Sequence, residues 1–150
     1  RQSEDIELWL RIALLSNWKF EGIKSPLTFY RVNDGGLSSN LSKQYASWCL
    51  AMHKNQPGHA SFFKRYLPLA RAYQLRYLAR RAIRSGDSWK AIKLVHQAIL
   101  TQPQIAIEEP ARTLATYGAA LLSMLPHNLY RMVEQTAIRI LPSNPTHNHQ

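Results

Sequence analysis

Hydrophobic positions recur at helical intervals from Ser3 to Trp18, where Ile6, Leu8, Trp9, Leu10, Ile12, Leu14 and Leu15 wrap most of a helix circumference. Ser3 fits the N-cap, and Glu4, Asp5 and Glu7 put acid in the first turn, where the helix dipole favours it. The pattern then changes period. Lys19 to Lys24 and Leu27 to Val32 are short β-rich runs split by Ser25-Pro26, and Asn33-Asp34-Gly35-Gly36 supplies turn chemistry after them. From Leu41 onward the pattern is helical without further strand signal. The spacing predicts helices over Leu41 to His53, Leu67 to Arg84, Ser88 to Leu100, Glu109 to Met124 and Asn128 to Leu141, with a break at Asn55-Gln56-Pro57-Gly58. The expected fold is mainly α, an N-terminal helix and small β element followed by a helical hairpin or bundle. A boundary falls near Pro57, giving residues 1–56, a helical part over 57–141, and a tail over 142–150 whose two prolines and two histidines predict disorder.

The middle of the helical part carries a unit with a packing logic. Gly86-Asp87 makes a tight turn, Ala91 and Ala98 sit seven apart on one helix face, and Pro103 stops the second helix. Small alanines let two helices approach closely, so the segment resembles one tetratricopeptide unit, with Ala79 where that pattern usually has glycine. Stable arrays need several units and one is recognisable, so an ordinary helical hairpin is the alternative.

Composition narrows the class. With 45% hydrophobic residues the chain can bury a core. The lone Cys49 excludes an internal disulfide framework, fits a reducing cytoplasmic setting and reads as a small buried hydrophobe. The apolar run from Leu114 to Leu125 is too short for a bilayer and is interrupted by Thr116, Tyr117, Gly118 and Ser123. A formal net charge of +10 implies attraction to acidic partners without choosing among them. The histidines are scattered or lie in the tail, which argues against a zinc site.

The chemistry lies at the start of the chain. Wound at about 100° per residue, the first helix puts Glu4, Glu7 and Arg11 on one stripe and Asp5 between Trp9 and Ile12, aimed inward with the apolar side. An inward acid at a helix start is either a capping group or a functional carboxylate. Read as a string, Ser3-Glu4-Asp5-Ile6-Glu7-Leu8-Trp9-Leu10-Arg11-Ile12-Ala13 followed by Pro26-Leu27-Thr28-Phe29-Tyr30-Arg31 resembles the acidic motif and downstream segment of family 2 glycosyltransferases, over about the first quarter of the chain. The resemblance implies that residues 1–56 form the C-terminal edge of a GT-A-type α/β catalytic domain. It also implies that Asp5 is the general base on an acceptor hydroxyl and that Glu4 shapes the acceptor site. Trp9 would then wall a sugar ring or serve the core, and Arg31 would meet the leaving diphosphate, brace the motif loop or stand exposed. Relatives place a histidine shortly after the Tyr-Arg pair, where this chain has Asn33 and Asp34. The family further implies a nucleotide-sugar donor, a glycan or lipid-linked acceptor, and a divalent Mg or Mn ion. No Asp-x-Asp pair is present to hold that ion, so its ligands and the nucleotide-binding unit are expected ahead of Arg1.

Arg76, Arg80 and Arg84 recur every four residues and predict one basic ridge, interleaved with Tyr66, Tyr73 and Tyr77 as core aromatics. The ridge is either a solvated face or a contact for an anionic surface, which would make the protein peripheral at the cytoplasmic membrane face. No helix-turn-helix or stacking motif supports nucleic acid as the partner. A helical protein-interaction module without catalysis is the second reading.

Overall fold

The computed structural model describes residues 3–23, 25, 27, 40–126, 129 and 132. Two helix starts coincide with side chains that cap them. Asn40 accepts the Lys43 N–H at 2.9 Å and opens α2, Leu41–Lys54. Asp87 accepts the Lys90 N–H at 3.1 Å and opens α4, Ser88–Thr101. Both satisfy amide donors that have no partner inside the helix. The first helix, α1 over Glu4–Leu15, starts differently: Ser3 makes no side-chain cap and has φ 67, and only its carbonyl joins the ladder, accepting the Glu7 N–H at 3.0 Å.

The remaining elements are α3 over Ala60–Arg84, α5 over Gln104–Glu108 and α6 over Pro110–Leu122. The third helix begins well before the predicted Leu67, so Pro68 lies inside it rather than in the first turn. There the proline leaves the Lys64 carbonyl without its helical donor. The short α5 escaped the sequence reading because five residues show too little periodicity. The predicted last helix and the tail lie outside the described residues, apart from Leu129 and Met132.

The β element requires correction. Among the described residues there is no strand, and Lys19 to Ile23 run as irregular chain with Phe20 and Ile23 exposed. A β-rich composition marks residues that fit a pleated, half-buried surface, and without a paired neighbour it does not hold a strand. The second predicted run, apart from Leu27, lies outside the described residues. The protein is therefore mainly helical, without the expected α/β edge among its described residues.

Contacts divide the chain into unit 1, Arg1–Gln74, and unit 2, Leu75–Gln150, the division falling inside α3; the expected boundary near Pro57 lies in the α2–α3 loop. Unit 1 is built on Trp48, Ala51, Met52 and Phe63, with Leu10, Leu14, Tyr45, Cys49, Leu67 and Ala70 packed around them. Tyr45 stacks on Trp48 at 6.1 Å. Cys49 is half-buried.

Unit 2 turns on Gly86. With φ 77 it takes the left-handed conformation, the Asp87 N–H donates to the Ala82 carbonyl at 3.0 Å and the Gly86 N–H to Ile83 at 3.1 Å. This pair of bonds closes α3, and Asp87 immediately caps α4. Ala79, Ala82, Ala91 and Ala98 are essentially inaccessible to solvent, as small residues at a close helix approach should be.

Candidate functional site

The orientation of α1 decides what its acidic end can do. Leu10 and Leu14 pack on the unit 1 core, and Glu7 on the same stripe reaches Lys54 Nζ of α2 at 3.3 Å and Arg11 Nε at 3.7 Å. At about 100° per residue, Asp5 lies roughly half a turn from that stripe. It does sit between Trp9 and Ile12, but that side faces out. Asp5 is exposed, contrary to the inward position expected from its apolar neighbours, because the helix is apolar almost all round and packs through Leu10 and Leu14 instead.

The Asp5 carboxylate accepts the Ile6 N–H at 2.9 Å, satisfying one amide donor of the first turn, and the residue is exposed. Glu4 is exposed beside it. Trp9, one turn on, is 54% exposed, so it is not the core tryptophan; Trp48 takes that place at 5%. The Trp9 ring meets Phe20 edge-to-face at 5.7 Å. Arg31, the fourth expected site residue, lies outside the described residues, as do Asn33 and Asp34.

Trp9 also lines an apolar groove of about 430 Å³ within unit 1, together with Ile6, Trp48, Met52, Phe62 and Tyr66. Phe62 and Tyr66 went unrecognised as wall residues because they precede the predicted start of α3. Tyr66 and Tyr77 are exposed rather than core, and Arg65 lies over the Tyr66 ring at 5.3 Å. Beside Trp48, burial raises the pKa of the Tyr45 phenol and the adjacent Cys49 thiol adds to the rise, while Arg71 opposes it.

The predicted basic ridge is not continuous. Arg76 is 6% exposed and turned into unit 2, where Nη1 donates to the Thr113 hydroxyl at 2.9 Å and Nη2 to the Glu109 carboxylate. Arg80 and Arg84 remain exposed. Glu109 also accepts from Arg112 at 3.0 Å. The hydrogen bond from Arg76 holds the Glu109 carboxyl below its ordinary pKa; desolvation opposes this, and the charges of Arg76 and Arg112 reinforce it.

Among the described residues no group of three or more His, Cys, Asp or Glu side chains is arranged to hold a metal ion. No helix among them is long and apolar enough to cross a membrane. The chain matches no protein-family model, no curated protein and no solved structure.

Proposed function

We propose that this chain is the C-terminal part of a family 2 glycosyltransferase, in which Asp5 is the general base for transfer of a sugar from a nucleotide-sugar donor to an acceptor hydroxyl. The observation that carries the reading is the motif around Glu4 and Asp5 on a helix whose acidic end is open to solvent, with the Trp9 ring one turn away. In the reaction the acceptor oxygen bonds to the anomeric carbon as its proton passes to the Asp5 carboxylate, and the bond to the nucleoside diphosphate breaks with inversion. Glu4 flanks the acceptor, Trp9 offers an aromatic face to a sugar ring, and Arg31 serves the diphosphate. A divalent metal would act as Lewis acid on that diphosphate; the described side chains offer no donor set for it.

A second feature supports the reading. Eight exposed large apolar residues fall between Ile6 and Leu27, among them Trp9, Trp18, Phe20 and Ile23. Such a concentration fits a surface covered by a further domain, here the nucleotide-binding domain that the reading requires. Residues 1–56 would then be the closing edge of the catalytic domain, and 57–141 its helical accessory domain. The protein would work at the cytoplasmic membrane face if its acceptor is lipid-linked.

The test is Asp5→Asn in the natural full-length protein, with release of nucleoside diphosphate as the readout. Transfer should fall by about 10²–10⁴-fold while donor affinity stays unchanged. Unaltered turnover would remove Asp5 from the chemistry. The competing reading, a tetratricopeptide-like interaction module, draws on the alanine-lined hairpin closed at Gly86. An in-frame reading of the gene ahead of Arg1 separates the two: a nucleotide-binding α/β segment with an Asp-x-Asp pair favours the transferase, further helical repeats the module.

A further inference from the structure

Unit 2 holds a cleft of about 410 Å³ lined by Arg80, Ile83 and Arg84 of α3 and by Arg112, Ala115, Thr116 and Ala119 of α6. Apart from the Thr116 hydroxyl, its polar side chains are cationic. Arg80 and Arg84 are one turn apart and exposed, and no carboxylate among the described residues pairs with either. Arg112 is also exposed, and among the described residues its guanidinium meets Glu109, whose carboxylate is shared with the buried Arg76. One acid thus serves two arginines, and three guanidinium groups border the cleft with little compensating charge. Like charges gathered on a concave surface repel one another, and an anion between them relieves that repulsion. Guanidinium forks match the oxygens of a phosphate, which can accept from more than one arginine at once.

We propose that this cleft binds the phosphate or diphosphate group of an anionic ligand. The inference rests on Arg80, Arg84 and Arg112 alone and is independent of the catalytic reading of Asp5. Nucleic acid fits less well, because the lining contains no aromatic ring on which a base could stack. Two sources share the favoured chemistry, a soluble phosphate ester and a phospholipid headgroup.

The experiment uses the 150-residue chain at about 0.15 M ionic strength, where diffuse attraction is largely screened. Pyrophosphate is titrated calorimetrically, and the protein is sedimented with phosphatidylcholine vesicles with and without phosphatidylglycerol. The variants are the pair Arg80→Gln with Arg84→Gln, the single Arg112→Gln, and Lys93→Gln as a control at an exposed basic position on α4. We expect binding to at least one phosphate probe, weakened about tenfold or more in the pair and in Arg112→Gln but unchanged in the control. Pyrophosphate binding identifies a soluble ester and binding to the anionic vesicles alone a headgroup, and either supports the site. No binding to either probe overturns it. Equal loss in Lys93→Gln overturns it too, as does tighter binding of a single-stranded oligonucleotide than of either probe.

Discussion

Replacing Thr113 by valine preserves the shape of a side chain that is only 2% exposed and removes its hydroxyl. That oxygen accepts from Arg76 Nη1 at 2.9 Å and donates to the Ile105 carbonyl at 3.1 Å. The first bond involves a buried charge and is worth about 1.5–3 kcal/mol, the second about 0.5–1.5 kcal/mol. Valine recovers part of this by burying a methyl where a hydroxyl stood, worth about 0.8 kcal/mol, so the net loss should be about 1–4 kcal/mol. For a chain of this size that is a fall in Tm of about 2–15 °C, read by far-UV circular dichroism and checked by urea unfolding. Thr116→Val is the internal control. Its hydroxyl donates to the Arg112 carbonyl four residues earlier, at 2.7 Å within the same helix, and that carbonyl keeps its helical amide partner, so the change should stay within about 0.5 kcal/mol. If Thr113→Val is as mild as Thr116→Val, the Arg76 guanidinium does not depend on Thr113 and the buried network contributes little.

Two glycines should respond in opposite directions. Gly86→Ala forces an L side chain to φ 77 and should cost about 1–2 kcal/mol, whereas Gly118→Ala, inside α6 with open space around it, should stabilise by about 0.5–1 kcal/mol; equal shifts in Tm would refute the left-handed turn. Acid should act through Glu109. Because its folded pKa lies below the ordinary value of 4.5, its contribution is complete above that pH and is lost as pH falls through the folded value. Glu109→Gln should therefore be less stable than the parent at neutral pH, and the gap in Tm should close in acid; a gap independent of pH would contradict the pairing. The catalytic reading stands or falls with Asp5→Asn in the full-length protein.

What the sequence determined is local. Gly86 supplies a conformation that other residues resist, and Ala91 and Ala98 fall on one face by helical period alone, while side-chain caps formed at Asn40 and Asp87 and not at the expected Ser3. The acidic start of α1, with Asp5 and Trp9 one turn apart, was legible for the same reason. Only the tertiary structure decided which faces are covered. Arg76 shares a four-residue row with Arg80 and Arg84, yet it alone is buried, because Thr113 and Glu109 reach it from more than thirty residues along the chain. Asp5 is exposed because α1, apolar on nearly every side, packs through Leu10 and Leu14. Lys19 to Ile23 have the composition of a strand but find no paired neighbour among the described residues. Caps and turns are settled by bonds within one or two helical turns, whereas burial, ion pairing and strand formation depend on which distant segment arrives.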